Sequence, residues 1–492
     1  MIISVFLIPL ILGVLVIITP WKGIRRGILF TGALLHIVIT GMLWLFRRDT
    51  FQPADWIGLD RQGLLFLSIT SVLFFIVVLY TIGYLFRDSE VHVMDSVEGF
   101  LFRNEPETTF ISCLLFFLSS MSLVCISRHM GLLWVAVEAT TLVSAPLIKY
   151  HRHHRSLEAT WKYLLICSVG IAIALLGNYF LAFAGHELTH LNIDTLIANA
   201  EYLNKTWLKA AFCMLLVGYG TKMGLAPMHT WLPDAHSEAP SMVSALLSGA
   251  LLNCAFLGIL RAHSILAAAG MIIFSGELLV FFGMLSMIFA AAFMIRQNDY
   301  KRMLAYSSIE HMGVIALGVG IGGLAGTGAM LHAVNHSITK GLLFLISGQL
   351  LFTFGSKKID DVRHIIITAP LTGVLWVSGF LAITGTPPFG IFLSEMTILK
   401  GIIDSGRWGL ASGYLITLAV IFIAMARIII SMSFGTSENE KDHDSTYIQK
   451  SEPAWFLVPV LIMVSVILCL GFYVPGPLWA FLEKAAVMTG GM

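Results

Sequence analysis

Across 492 residues the chain is 57% hydrophobic and 12% charged, with a mean hydropathy of +0.85. A water-soluble chain of this length cannot bury that much apolar surface. Thirty Lys and Arg against 29 Asp and Glu leave a net charge of +1, so the basic excess that nucleic-acid binding requires is missing.

The sequence therefore reads as an all-α polytopic membrane protein. A helix needs about 20 apolar residues to cross the hydrocarbon core. That rule predicts about fourteen spans, at 2–19, 27–46, 64–86, 109–127, 130–149, 157–184, 207–227, 240–261, 271–295, 303–320, 324–353, 366–398, 407–433 and 454–472. The opening MIISVFLIPLILGVLVIITP lacks the basic start and small-residue cleavage site of a signal peptide and reads as the first span. The loop after it, WKGIRR, begins the alternate-loop set that holds most of the Lys and Arg. If that set is cytoplasmic, both termini face away from the cytoplasm. The third loop, RDSEVHVMDSVEGFLFRNEPETT, is acidic and adds little to that assignment.

The fifth span, GLLWVAVEATTLVSAPLI, carries Glu138, and the basic loop HRHHR at 151–155 follows it. The seventh, within GYGTKMGLAPMHTWLPDAHSEAPS, carries Lys222 and is interrupted by Gly224, Pro227 and Pro233, with His229 and His236 flanking WLPDA. Glu277 lies early in the ninth span and reads as interfacial, whereas the tenth carries Glu310 and His311 side by side. GVGIGG at 318–323 matches GxGxxG in form but follows a membrane helix rather than a strand, which removes nucleotide binding. The eleventh span places His332, His336 and Lys340 at i, i+4 and i+8, along one face. The twelfth is broken by GTPPFG at 385–390 and then carries Glu395. The run at 435–452 is a solvated polar loop before the last span.

Matching breaks in spans seven and twelve point to two inverted five-helix repeats, spans four to eight and nine to thirteen. The organisation is then three N-terminal spans at 1–108, a first repeat at 109–261, a second at 271–433, and a polar loop with the last span at 434–492.

An ionised group near mid-bilayer costs about 2.5–3.5 kcal/mol on insertion scales. Glu138, Lys222, Lys340 and Glu395 each sit between apolar residues. The bland account is snorkelling or a structural ion pair. The sharper account is a proton relay, in which a carboxylate that approaches or recedes loads and unloads a buried lysine; Glu138 with Lys222 is the first such pair. Imidazoles titrate near neutrality and extend the row. His332 and His336 share a metal-ligand spacing, but the metalloprotease form needs a Glu where Ala333 stands. The six cysteines stand singly in apolar runs with no CxxC pair. No metal, cofactor or catalytic set is assigned.

KMGLAPMHTWLPDAHSEAPSMVSALLSGALLNCAFLGILR, DYKRMLAYSSIEHMG and HAVNHSITKGLLFLISGQ, within a likeness over residues 60–435, resemble the proton-translocating antiporter-like subunits. Respiratory complex I, Mrp-type cation/proton antiporters and group 4 membrane-bound NiFe hydrogenases share these subunits, and the SSIEHMG wording is most similar to the F subunit of hydrogenase-4 and formate hydrogenlyase. The resemblance implies a proton pathway through Glu138, Lys222, His332, His336, Lys340 and Glu395; the residue pattern adds His229 to it, with His236, Asn253, Glu310 and His311 as secondary candidates. Asn253 stands where many relatives carry Lys or His in the eighth span, so the central step lacks its titratable group. The resemblance also implies an inner or cytoplasmic cell-membrane location, no redox centre in this subunit, and partners comprising further antiporter-like subunits and a peripheral NiFe hydrogenase or dehydrogenase arm. The cargo is protons, with Na+ as the Mrp-type alternative; a complex I middle subunit and a passive membrane anchor are the other readings.

Overall fold

The computed structural model describes residues 1–45, 56–87, 93–94, 101–102, 104–186, 190–435 and 452–487. Most of the acidic third loop and of the polar run at 435–452 lies outside these residues.

Helices stand at each of the fourteen expected places. Among the described residues ten are long and apolar enough to cross a membrane unaided, from Lys22–Leu45 to Trp408–Phe434. Shorter pieces build the rest: Ser4–Ile18 for the first span, Lys205–Met223 and Trp231–Glu238 for the seventh, and Pro370–Ile383 and Gly390–Asp404 for the twelfth. The fourteenth, Ala454–Phe472, is followed by Gly476–Ala486 after a turn of 85°. Several bounds differ from the sequence reading, and the second span starts at Lys22. The eighth span runs on to Ala268, and the twelfth starts at Pro370 and ends at Asp404. The only sheet among the described residues is a two-residue ribbon, Val93–Met94 against Leu101–Phe102.

Local chemistry sets the ends and breaks. The Asn204 side chain accepts from the Thr206 and Trp207 amides at 3.0 and 3.2 Å, capping the first half of span seven. Gly224 closes that half at φ 85°, and the Leu225 amide returns to Gly220 O at 2.8 Å, as in a Schellman turn. Spans nine and ten approach backbone to backbone, because a Cβ on Gly313 would lie 2.6 Å from Gly283 O and one on Gly320 2.6 Å from Gly276 O.

Large apolar side chains face outward on the peripheral spans, among them Val135, Trp161, Phe281 and Ile423. The polar groups are inside. Span eight, Ser241–Ala268, is buried through Ala267 and forms the axis. A π-helical turn at Leu247–Leu251 interrupts it. Ser248 Oγ meets Ser308 Oγ of span ten at 2.8 Å, and Asn253 Nδ2 donates to Ser337 Oγ of span eleven at 2.8 Å. Cys125, Cys167 and Cys254 pack inside, whereas Cys469 faces outward.

At one end of this axis the Arg261 guanidinium, 1% exposed, donates to Val124 O at 3.2 Å and Cys125 O at 3.0 Å and lies 3.7 Å from Asp60 Oδ1. Asp60 also takes a short hydrogen bond from Arg128, which pairs in turn with Asp194. Burial raises the Asp60 carboxyl, but Arg261 and Arg128 together with the Gly63 amide outweigh it and hold it below its usual range. A depressed carboxyl contributes stability above its unfolded value, and this is lost as pH falls through the folded one. Asp60→Asn should therefore cost about 3 kcal/mol near neutrality, because Arg261 stays buried without its counter-charge. Thermal unfolding in detergent should show the gap between variant and wild type closing as the buffer is acidified.

Candidate functional site

Two buried lysines organise the interior. Lys222, 0% exposed, points from the first half of span seven toward spans five and six. Its Nζ donates to Thr141 Oγ1 at 2.9 Å and to Tyr163 OH at 2.5 Å, and lies 4.5 Å from the centre of the Tyr163 ring. Ser144 Oγ gives its proton to Thr140 O at 2.7 Å, so it accepts from Tyr163 OH at 2.6 Å, and Tyr163 in turn accepts from the lysine. Glu138 is one helical turn from Thr141. It is partly buried, accepts from Ser168 Oγ at 2.9 Å, and has no partner on Oε2. No salt bridge joins it to Lys222 among the described residues; the lysine rests on hydroxyls with the carboxylate one turn away.

Lys340, also 0% exposed, repeats this arrangement. Its Nζ donates to Leu304 O at 2.8 Å and makes a short hydrogen bond to Ser307 Oγ. Glu310 is one turn from Ser307 on span ten, buried, with Oε2 at 3.8 Å from His311 Nε2. His311 Nδ1 meets His332 Nε2 at 2.9 Å, and His332 Nδ1 meets Ser394 Oγ at 3.0 Å. His336 lies beside them with its ring centre 5.1 Å from that of His311, and neither of its nitrogens has a partner. Glu395, 4% exposed, reaches back over the twelfth-span break. A Cβ on Gly385 would collide with its carboxylate.

Asn253 lies on span eight and His236 on the short helix that follows the seventh-span break. Both Asn253 donor protons are used, on Gly249 O at 3.0 Å and Ser337 Oγ, and Oδ1 has no partner. His236 is buried, stacks on Phe344 with ring centres 5.0 Å apart, and has no hydrogen bond at either nitrogen. His229 stands apart from the row, against Phe289, Phe293 and Tyr306. Glu277 is 52% exposed and pairs with Arg407 at 2.5 Å. In the HRHHR loop, Arg152 pairs with Glu105 at 2.5 Å and His151 Nδ1 meets Asn104 Oδ1 at 2.8 Å.

Thr141, Tyr163, Ser168, Ser307 and Ser394 are the site residues that sequence reasoning missed. Hydroxyls are common in membrane helices, and only the spacing of Thr141 from Glu138 and of Ser307 from Glu310 offered a signal.

Gly385 sits at φ 60° and Gly355 at φ 72°, but no atom lies within 4 Å of a Cβ added to Gly355. Gly355→Ala should show backbone strain alone, about 1 kcal/mol. Gly385→Ala should cost more, by roughly a further 1–3 kcal/mol, because Glu395 must also leave its place. Thermal midpoints of the two variants in one detergent compare them directly.

A family profile described as "NADH:quinone oxidoreductase/Mrp antiporter, TM" matches residues 127–421. The chain is 33% identical over 457 residues to a protein called hydrogenase-4 component F homolog from Methylacidiphilum infernorum, with 92% of each covered. It is 28% identical over 372 residues to NADH-quinone oxidoreductase subunit N of Desulforudis audaxviator, with 73% of each covered. Its fold matches a chain of the membrane-bound sulfane sulfur reductase, an archaeal respiratory membrane complex, with a TM-score of 0.85 at 23% identity over 99% of this chain and 96% of that one.

Proposed function

The chain belongs to the NADH:quinone oxidoreductase/Mrp antiporter transmembrane family, and from that premise we propose that it is the proton-carrying membrane subunit of a redox-driven complex of the hydrogenase-4 kind. The observation that carries this reading is the lysine docked on a hydroxyl one turn from a glutamate, built twice, at Lys222 with Glu138 and at Lys340 with Glu310. Hydroxyls hold a proton-loaded ammonium without a fixed counter-charge, so the approach or retreat of the carboxylate decides whether the proton stays.

In outline, a shift at Glu138 releases the Lys222 proton toward the second half. His236 supplies the titratable group on the way, in place of Asn253. Lys340 with Glu310 receives the charge, His311 and His332 pass it on, and Glu395 delivers it at the twelfth-span break. His336 borders this route and His229 flanks its entrance. Each imidazole moves a proton by taking it at one nitrogen and giving it from the other. The two halves correspond to inverted repeats at 109–261 and 271–433, between the N-terminal spans at 1–108 and the final segment at 434–492. The protein resides in the inner membrane with both termini away from the cytoplasm, as its loop charges favour. It holds no redox cofactor; neighbouring antiporter-like subunits and a peripheral hydrogenase arm supply the driving reaction. The family description also names Mrp antiporters, which makes Na+ exchange the second reading.

Lys222→Ala and Glu138→Gln should each reduce proton translocation by the reconstituted complex to background while the complex assembles and keeps its redox activity. Normal translocation by both variants would make the chain a passive anchor. Proton movement that requires Na+ on the opposite side of the membrane would make it an exchanger.

A further inference from the structure

The imidazoles of spans ten and eleven are arranged for more than proton passage. His311, His332 and Glu395 each offer one ligand atom, and the three atoms lie within 4.8 Å of one another with all three residues buried. Ser394 fixes the tautomer. Its hydroxyl proton goes to Ile391 O at 2.9 Å, so its oxygen accepts from His332 Nδ1–H, and His332 Nε2 turns a lone pair inward. His311 Nδ1 faces that lone pair at 2.9 Å, while its other nitrogen faces Glu310 Oε2 at 3.8 Å. Glu395 Oε1 and His311 Nε2 are buried without hydrogen bonds. Two inner nitrogens thus converge with a carboxylate, and each outer nitrogen faces an oxygen acceptor. Metal-binding histidines are oriented in this way.

We propose that His311, His332 and Glu395, with Glu310 and Ser394 behind them, form a site for a divalent transition-metal cation of the zinc type. Two imidazoles and a carboxylate are a donor set that zinc takes in three-ligand sites. The facing nitrogens need to part only from 2.9 Å to about 3.3 Å to accept two bonds of about 2.0–2.1 Å at a tetrahedral angle. The His311 proton moves from Nδ1 to Nε2 and is accepted by Glu310, so a dication with Glu310 and Glu395 makes an electrically neutral cluster in the interior. The HxxxH pair of the sequence is not this site. The rings of His332 and His336 are stacked with centres 6.5 Å apart, and the convergent donor set instead draws one ligand from each of spans ten, eleven and twelve. On the proton-carrying reading above, an ion here occupies the route and blocks it.

The test is a Co2+ titration of the full chain in detergent, followed by visible absorption. One equivalent should give the intense bands of a tetrahedral cobalt centre, and Zn2+ should abolish them. Glu395→Gln and His332→Gln should lose the bands, Glu310→Gln should weaken binding roughly 10–100-fold, and His336→Gln should leave it unchanged. Circular dichroism shows that each variant is folded. A folded wild-type chain without a saturable band, or a band that survives both Glu395→Gln and His332→Gln, overturns the proposal. The readout is spectroscopic, so its failure is separate from a failure of proton transport in Lys222→Ala.

Discussion

An ammonium group at the depth of the hydrocarbon must be solvated by the protein, because no other polar medium is there to do it. The interior of this chain is arranged around that requirement. Lys222 rests on Thr141 and Tyr163, and Lys340 on Leu304 O and Ser307. Lys301 Nζ donates to Ala239 O at 2.6 Å, and Arg261 to the carbonyls that end span four. Each cation takes neutral dipoles first. A contact ion pair at 4 Å would be worth about 4 kcal/mol at an effective dielectric of 20, enough to hold a proton roughly a thousandfold more tightly. Dipoles leave the lysines able to give theirs up.

The helix breaks follow from the same need. Gly224 ends the first half of span seven directly after Lys222, and the turn at Gly385 provides the space in which the Glu395 carboxylate lies. Irregular backbone at membrane depth is tolerated where protein surrounds it; Gly224 to Ala226 and Phe389 with Gly390 are buried, whereas Pro227, Pro387 and Pro388 lie on the exposed side of the breaks. Span eight ties the halves together through Ser248, within its π-helical turn, and Asn253, just after it. The charged groups therefore lie on elements that pack rigidly, while the breaks supply local freedom.

The spans and the charges within them were legible because each is a strong signal against its background: twenty apolar residues in a row, or one ionised group among them. Lys222, Lys340 and Glu395 needed no neighbour to stand out. What the lysines touch was not legible. Thr141 and Ser307 look like any hydroxyl in a membrane helix until the fold carries an ammonium to them. The same holds for His311, which pairs across spans with His332, whereas helical periodicity offered only the row His332, His336 and Lys340. Periodicity relates residues on one helix, and these contacts join different ones. Asn253 was legible as a departure but not as a cross-link, because its partner Ser337 lies on another span.

That cross-link bears on how the two halves communicate. An unbroken hydrogen-bonded wire from Glu138 to Glu395 would let protons run down their gradient without doing work. At Asn253 both amide protons are committed to Gly249 O and Ser337 Oγ, and an amide neither takes up nor releases a proton near neutrality. Charge is less restricted than protons. In a buried, low-dielectric interior a change of charge at Lys222 is felt farther along the row than it would be in salt water. On the proton-carrying reading proposed above, an interruption at the axis opposes leakage yet leaves the electrostatic signal intact, and His236, buried against Phe344, is the titratable group that would carry a proton past it. On the same reading the missing titratable residue in span eight keeps the two halves from forming one continuous proton wire.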